Sequence, residues 1–500
     1  MSVGNVHLAI DLGASGGRVL AGQLSDSGIQ LKEIHRFANG GVWQGKRLVW
    51  NLLGQWEHVL EGLSRANATY GSRIRSVGAD TWGVDYVLLD RNEDLVGPCF
   101  HYRDTRTSGV MAQAFERMSR KDIFRNTGLQ FMEINTAYQL FAMRLQNSPL
   151  LDISESFLMV PDYLHWQLSG TKCNEFTNAS TTQLLDVESG NWSREVIAAL
   201  ELPEHIFSPP IQPGTSVGNI TETVQRLTGV PSSTEVVVPD THDTGSAVLA
   251  VPAATFAASQ PDWCYISCGT WSLMGVEIAR PVTSEACEMF NFTNEGGVRG
   301  SIRLLKNIAG LWIVQQCRQQ WQREGHTWAW DQLVDMAIKA PAMKAVIDPD
   351  HASFVSPGSM PQAIYDFCRQ TNQPTPDTPG EFVRIALESL ALRYRSVLNY
   401  LEQLVGGPLG TIHMVGGGVQ NHLLCQFAAD ACQRMVIAGP VEATALGNVL
   451  MQAIGCGELS SIDEGRALIR KSPDILTFEP RSNQEWDVGY QKLMQLTIGQ

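Results

Sequence analysis

The strongest constraint on this chain is a pattern that it carries twice. The stretch AIDLGASGGRVLAG begins at Ala9, and CYISCGTWSLMGVE begins at Cys264, about 255 residues later. Each reads as a strand, a glycine-bearing turn and a second strand. In the first copy these are His7–Asp11, Leu12–Gly17 and Arg18–Gln23. In the second they are Trp263–Cys268, Gly269-Thr270 and Trp271–Ile278. Short hairpins are common, but one in each half of a 500-residue chain predicts a duplicated two-lobe α/β architecture. The length agrees, since a single hydrophobic core stops growing well below it. The boundary is expected near Gly245–Pro261, giving lobes over residues 1–245 and 246–500.

The rest of the pattern alternates between strands and helices. Leu31–Phe37, Ile74–Asp80, Val84–Asp90, Glu235–Pro239, Thr411–Val415 and Arg434–Ala438 read as strands. Leu52, Trp56, Val59, Leu60 and Leu63 fall at helical spacing. Thr136–Leu145, Asp162–Leu168, a segment starting near Thr241, Glu381–Leu404 and Ala443–Ile454 also read as helices. Pro374, Pro376 and Pro379 mark an exposed connection.

The formal net charge is -14. That argues against nucleic acid or an anionic membrane as the main partner. A phosphate-rich ligand remains open to such a chain if backbone N–H groups, a few cations and a metal gather locally. The ten cysteines are scattered, with no C-x-x-C pair, and are expected to be buried thiols rather than a disulfide or zinc framework. Residues 1–10 lack a basic segment leading into an apolar run. The most apolar stretch, Gly245–Ala258, is broken by Pro252 and is too short for a span. A cytoplasmic location is the resulting expectation.

Three glycine sites follow strands. Asp11-Leu12-Gly13-Ala14-Ser15-Gly16-Gly17-Arg18 would let backbone N–H groups approach phosphate oxygens. Ser15 adds a hydroxyl, Arg18 a cation, and Asp11 an oxygen ligand for Mg²⁺, directly or through water. There is no G-K-[ST], and the segment continues as a strand rather than a helix, so neither a Walker A loop nor a dinucleotide fingerprint fits. The second site is Ser267-Cys268-Gly269-Thr270, with the Thr270 hydroxyl. The third is Gly416-Gly417-Gly418, whose flat backbone suits an adenine or ribose face. Each alone could be a plain turn. The three together point to a nucleotide.

Val238-Pro239-Asp240-Thr241-His242-Asp243-Thr244-Gly245-Ser246 lies where a buried strand meets a helix start. Asp243 in a first helical turn is favoured as a carboxylate and could orient a sugar hydroxyl and take its proton in phosphoryl transfer. Alternatively, Asp240 or Thr241 caps the helix and Asp243 is a first-turn acid. His242 could donate to a substrate hydroxyl or be a core histidine. Asp80-Thr81-Trp82-Gly83-Val84-Asp85 offers acids, an indole and the Gly83 N–H as a sugar surface, or a strand-end turn with a core tryptophan. Asn294-Glu295-Gly296-Gly297 and Lys306-Asn307 are polar clusters. Asn307 is expected to begin a helix carrying Leu311, Val314 and Gln315. Tyr102–Arg106 reads as a structural ion-pair run.

With these segments in hand the chain resembles the FGGY carbohydrate kinase family from about residue 7 to residue 455. The resemblance rests on D-L-G-A-S-G-G-R, Pro161-Asp162-Tyr163 with Leu168-Ser169-Gly170, Thr177-Asn178-Ala179-Ser180, D-T-H-D-T, S-C-G-T-W and V-G-G-G. Within the family, D-T-W-G-V-D-Y, C-G-T-W-S-L-M-G, N-E-G-G and L-K-N-I-A-G-L-W resemble the members that act on L-rhamnulose. The resemblance implies two actin-like (ribonuclease H-like) lobes with an active-site cleft between them. It also implies ATP and Mg²⁺, and transfer of the γ-phosphoryl group to O1 of L-rhamnulose. Asp243 matches the family's general base. Ala14, Ser15, Gly16, Gly17, Arg18, Thr270, Gln315 and Gly417 match nucleotide contacts. Gly83, His242, Thr244 and Asn307 match sugar contacts. Cys268 and Gly16 stand where serine is usual. The rival readings are a kinase for another ketose or polyol (fuculose, xylulose, glycerol), a non-kinase actin-like ATPase, and a non-catalytic sugar sensor.

Overall fold

The opening hairpin forms between β1 (Val6–Gly13) and β2 (Gly16–Ser25), and β3 (Gly28–Ala38) continues the sheet. This is seen in a computed structural model that describes residues 4–355, 357–472, 474–482 and 484–497. β1 also pairs in parallel with the strand Ile74–Thr81, which sets Asp11 opposite Asp80 and Leu12 opposite Thr81. The strands Glu235–Val237 and Ser216–Asn219 complete a six-stranded mixed sheet.

Both faces of this sheet are covered, which explains why β1 is apolar at nearly every position. Leu8, Ile10 and Leu12 share a core with Val59, Leu63 and Ala66 of α1 (Leu52–Tyr70). Ala9, on the opposite face, packs with Leu20, Ala445 and Val449. Val59 and Leu63 belong to the expected α1 stripe, and Asn51 caps that helix by accepting from the Gly54 N–H at 3.1 Å. Close approach is built in by glycine. A Cβ on Gly62 would lie 2.4 Å from a Val19 methyl, and one on Gly22 would lie 2.5 Å from a Val449 methyl.

The chain divides into two compact units, and they are not consecutive halves. The first comprises Met1–Ser259, Glu277–Leu304 and Ala443–Ser472. The second comprises Gln260–Val276, Leu305–Glu442 and Pro473–Gln500. The helix Ala443–Gly455 groups with the first unit because its apolar face covers Ala9 and Leu20, and because it meets the helix Asp243–Leu249 where a Cβ on Gly447 would lie 1.8 Å from the Ser246 carbonyl oxygen.

In the second unit the strand Trp263–Cys268 pairs antiparallel with the strand Trp271–Ile278 and parallel with Thr411–Val415. Thr411–Val415 pairs in parallel with Met435–Ala438, which pairs antiparallel with Leu476–Phe478. The long helix runs Pro379–Val405 with a capping box between Thr378 and Glu381. The hairpin and α/β expectations therefore hold in both units.

Two local readings are corrected. Asn307 does not begin a helix: it lies in the strand Ile302–Ala309, and the helix carrying Gln315 starts at Trp312. Leu304, Lys306 and Ile308 are buried at strand spacing, and Gly310 then allows the chain to pass so near Trp271 that a Cβ would lie 2.4 Å from its carbonyl carbon. The expected strand Val84–Asp90 is shortened to Tyr86–Leu89, because Val84 has φ 67° and serves as a turn residue. All ten cysteines are free thiols. Among the described residues no helix is long and apolar enough to cross a membrane.

Candidate active site

The first glycine turn is held from below. Asn39, just past β3, donates its N–H to the Ser15 carbonyl at 3.4 Å and its side-chain amide to the Gly13 carbonyl at 2.8 Å. Gln55 of α1 fixes that amide by donating to its oxygen at 2.9 Å. Phe37 underlies the turn, since a Cβ on Gly17 would lie 2.2 Å from its ring. Ala14 and Ser15 thus form the tip, while Gly16, Gly17 and Arg18 begin β2. Arg18 donates to the Asp11 carboxylate across the register pair Asp11–Arg18. No local pattern marks Asn39 and Gln55 as braces of this turn, because the contacts span 16 to 26 residues.

Beside Asp11 sits the fully buried Asp80. One carboxylate oxygen accepts from Asn448 at 2.6 Å, and the other has no hydrogen-bond partner. Burial first, then the neighbouring Asp11 charge, hold the Asp80 carboxyl well above its ordinary range. Behind it the bonds continue through Asn448, Gln452, Ser76 and His7, at separations of 2.6–2.8 Å.

The D-T-H-D stretch is anchored on its approach side. Glu175 accepts from the Thr241 N–H and hydroxyl at 3.2 and 2.6 Å. It also accepts from Thr177 and the Asn178 N–H. Asn178 donates to the Thr241 carbonyl at 3.1 Å and to the Trp82 carbonyl at 3.4 Å, so the two candidate segments are joined by one amide. The T-N-A-S motif therefore positions the D-T-H-D stretch.

His242, not Asp240 or Thr241, is the N-cap of the helix Asp243–Leu249, and it makes no side-chain cap bond. Asp240 cannot cap, because its carboxyl is packed against Gly245, where a Cβ would lie 2.0 Å from an oxygen. Burial pushes the Asp240 carboxyl up to about 7, against the opposing Arg303 charge.

The Asp243 carboxylate accepts from the Thr244 N–H at 2.6 Å and lies 3.6 Å from His242 Nε2. Enclosure by protein raises its pKa, His242 opposes the rise and Asp11 adds to it. The other ring nitrogen, His242 Nδ1, lies 3.2 Å from an Arg303 guanidinium nitrogen and 3.1 Å from a Glu295 oxygen. Arg303 and Glu295 are buried and 3.3 Å apart. Burial alone would raise the Glu295 carboxyl, but His242 and Arg303 outweigh it and leave it below the ordinary value. The N-E-G-G segment that carries Glu295 is pinned by the Gly296 N–H donating to Ser180 at 2.7 Å. In the sequence Asn294–Gly297 is a polar cluster and Arg303 carries no local signal, because both approach His242 from strands more than 50 residues downstream.

The D-T-W-G-V-D segment is less open than expected. Asp85 is fully buried and accepts from Trp50 at 2.6 Å, Trp82 at 3.0 Å, the Tyr102 N–H at 3.0 Å and Gln139 at 2.8 Å. Burial pushes its carboxyl up to about 6 despite those four donors. Trp82 stacks on Trp50 with ring centroids 3.8 Å apart. Asp85 and Trp82 therefore hold the turn rather than face a ligand, and Gly83 is left at the bend, where a Cβ would lie 2.9 Å from the Thr181 hydroxyl. The Tyr102–Arg106 run is structural: Asp104 accepts from the Leu48 N–H, and Arg106 lies over Phe100 and donates to Gln139.

In the second unit, Thr270 Oγ1 lies 3.4 Å from Gln315 Oε1, and the Leu311 and Trp312 N–H groups donate to the Gly269 and Thr270 carbonyls at 3.1 Å. The third glycine site abuts the same turn. Cβ atoms on Gly416 and Gly418 would lie 3.0 Å from the Cys268 carbonyl oxygen and 2.3 Å from its sulfur, while one on Gly417 would meet nothing within 4 Å. Gly417 is thus the glycine with open space over it. Burial pushes the Cys268 thiol up to about 11, so it is a neutral packing group. The candidates fall into two groups by unit: Asp11, Ala14–Arg18, Gly83 and His242–Thr244 in the first, and Thr270, Asn307, Gln315 and Gly417 in the second.

The N-terminal domain of the FGGY family of carbohydrate kinases matches residues 6–250, and its C-terminal domain matches residues 264–456. The chain belongs to the FGGY family of carbohydrate kinases. Full-length relatives of this FGGY chain include a rhamnulokinase of Bacteroides thetaiotaomicron, 41% identical over 482 residues and covering 96% of this chain and 97% of that protein. A rhamnulokinase of Pectobacterium atrosepticum is 41% identical, with 97% and 95% covered, and one of Halalkalibacterium halodurans is 39% identical, with 94% and 98% covered. Among solved structures, a ligand-bound xylulose kinase from Lactobacillus acidophilus has a TM-score of 0.78 at 15% identity, covering 98% of this chain and 96% of that one. Plasmodium falciparum glycerol kinase with ADP has a TM-score of 0.76 at 15% identity, covering 99% of each chain. These structures share the FGGY fold with this chain.

Proposed function

We propose that this FGGY kinase transfers the γ-phosphoryl group of ATP to O1 of L-rhamnulose, giving L-rhamnulose 1-phosphate and ADP. The observation that carries the reading is Asp243: a carboxylate with a raised pKa at the start of a helix, fixed by the Thr244 N–H and faced by His242. The full-length rhamnulokinase relatives support the choice of sugar.

Asp243 is the general base. It orients the O1 hydroxyl, and as the O1–P bond forms and the bond from phosphorus to the ADP oxygen breaks, the O1 proton passes to Asp243 while ADP leaves with the electron pair. The transition state of such transfers is loose, so the base mainly orients the nucleophile, and positioning supplies much of the rate. Gly83, His242, Thr244 and Asn307 hold the sugar. Ala14, Ser15, Gly16, Gly17 and Arg18 hold phosphates, and Thr270, Gln315 and Gly417 hold the rest of the nucleotide. In this reading residues 1–245 supply most of the sugar contacts and the first phosphate turn, and residues 246–500 supply the adenosine contacts.

Magnesium fits the donor set, which is oxygen-only at Asp11 and includes the partnerless buried oxygen of Asp80. Asp11 would hold the ion, directly or through water. When bound, it offsets charge on the phosphates. Action in the cytoplasm on a free sugar, without nucleic acid or membrane, completes the reading.

The test is a panel of L-rhamnulose, L-fuculose, D-xylulose and glycerol with purified protein, ATP and coupled ADP detection. The expected result is the highest kcat/KM on L-rhamnulose, with phosphate on O1. Strong turnover of another acceptor with none on L-rhamnulose would refute the substrate assignment.

A further inference from the structure

A second cluster of ligating side chains lies outside this site. His35, on β3, is buried, while His58 and Glu61 lie one turn apart on α1, with side chains 43% and 44% exposed. His35 Nε2 is 3.1 Å from His58 Nδ1 and 3.4 Å from Glu61 Oε2, and His58 Nδ1 is 3.7 Å from the same oxygen. Among the described residues this is the group of three or more His, Cys, Asp or Glu side chains whose ligand atoms all fall within 4.8 Å of one another.

The three separations carry the argument. Ligands about 2.0–2.1 Å from a tetrahedral zinc ion lie roughly 3.3–3.4 Å from one another. The edges here, 3.1, 3.4 and 3.7 Å, bracket that value. The side chains are also held in place. Phe37 stacks on the His58 ring with centroids 4.4 Å apart and planes 13° apart. Arg65 binds the other Glu61 oxygen, leaving Oε2 turned to the imidazoles. Outer partners of this kind orient metal ligands. Two imidazoles and one carboxylate suit a borderline transition ion rather than Mg²⁺, and the exposed side leaves a fourth position for water.

We propose that His35, His58 and Glu61 form a binding site for a zinc-class divalent ion that clips α1 to β3. The clip sits close to the first phosphate turn. Phe37, the ring beneath His58, also underlies Gly17, and a surface cavity of about 300 Å³ lined by Asn39, Asn51, Gln55 and His58 adjoins it. Occupancy would therefore stiffen the support of that turn.

The experiment uses the untagged full chain, stripped with a chelator and titrated with Zn²⁺ against a chromophoric zinc chelator in millimolar Mg²⁺. The magnesium saturates carboxylate sites that prefer a hard ion. His58→Ala and Glu61→Gln alter exposed side chains, so circular dichroism and unmetallated Tm should match those of the parent. The expected result is one tight Zn²⁺ per parent chain and a loss of more than about 100-fold in affinity in His58→Ala, since removing only an outer partner already costs 10–100-fold. Zinc should raise the Tm of the parent and not of His58→Ala. No tight zinc on the folded parent, or equal affinity and stoichiometry in parent and both variants, would overturn the site.

Discussion

A guanidinium nitrogen of Arg303 lies 3.2 Å from His242 Nδ1, and a Glu295 carboxylate oxygen lies 3.1 Å from the same ring nitrogen. The guanidinium can only donate and the carboxylate can only accept, so together they hold Nδ1 in either tautomer, and the ring turns Nε2 to Asp243 at 3.6 Å. Arg303 and Glu295 therefore fix which edge of the imidazole faces the Asp243 carboxylate.

With that edge turned to Asp243, a replacement that keeps a polar group near Nε2 should do better than one that removes it. His242→Gln is expected to lose less than about 10-fold in kcat/KM for the ketose. His242→Ala is expected to lose about 10- to 100-fold, the range for a hydrogen bond to a charged group. Steady-state kinetics on both variants, at fixed ATP, checks the order.

Gly83 and Gly418 should separate the two substrates. A methyl at Gly83 meets the Thr181 hydroxyl at 2.9 Å, and one at Gly418 meets Cys268 Sγ at 2.3 Å. Gly83→Ala is expected to raise KM for L-rhamnulose several-fold with ATP KM near that of the parent, and Gly418→Ala is expected to do the reverse. Measuring both KM values in both variants decides it.

Arg466 tests the scaffold without touching the chemistry. It is fully buried, donates to Glu277 at 2.6 Å and reaches the Val248, Leu249 and Thr255 carbonyls at 2.9–3.3 Å. Arg466→Met leaves a buried carboxylate unpaired, which costs about 3–5 kcal/mol. Urea unfolding should show that loss, while KM for the ketose stays within about two-fold at a temperature where the variant is folded.

His165 gives a pH signature with a definite sign. Its Nε2 accepts from the Ala79 N–H at 2.9 Å, and burial pushes its pKa from 6.5 down to about 3. The folded state thus binds fewer protons than the unfolded state between those values, so the contribution is whole above pH 6.5 and is lost as pH falls toward 3. The stability advantage of the parent over His165→Gln should shrink by about 1.4 kcal/mol per pH unit below 6.5. Denaturant titrations at pH 7, 6 and 5 read it directly.

What could be seen in the sequence was what local pattern encodes. The two hairpins, the Pro379–Val405 helix and the strand-to-helix joint at Asp243 all carry periodicity or turn residues within a few positions. What could not be seen depended on distant packing. Asn307 looked like a helix start because Leu311, Val314 and Gln315 are helically spaced, yet sheet pairing takes residues 302–309 and Gly310 delays the helix. Asp85 looked like a sugar acceptor until Trp50, Trp82, Tyr102 and Gln139 converged on it. Arg303 and Glu295 are ordinary strand residues until the fold places them beside His242.

The most direct test of the account is kcat of Asp243→Asn with saturating ATP and L-rhamnulose. Asparagine keeps the size and can still accept from the Thr244 N–H, but it cannot take the O1 proton. The account predicts a fall of about 10²- to 10⁴-fold with ATP affinity and Tm near those of the parent. Turnover within a few-fold of the parent would contradict it.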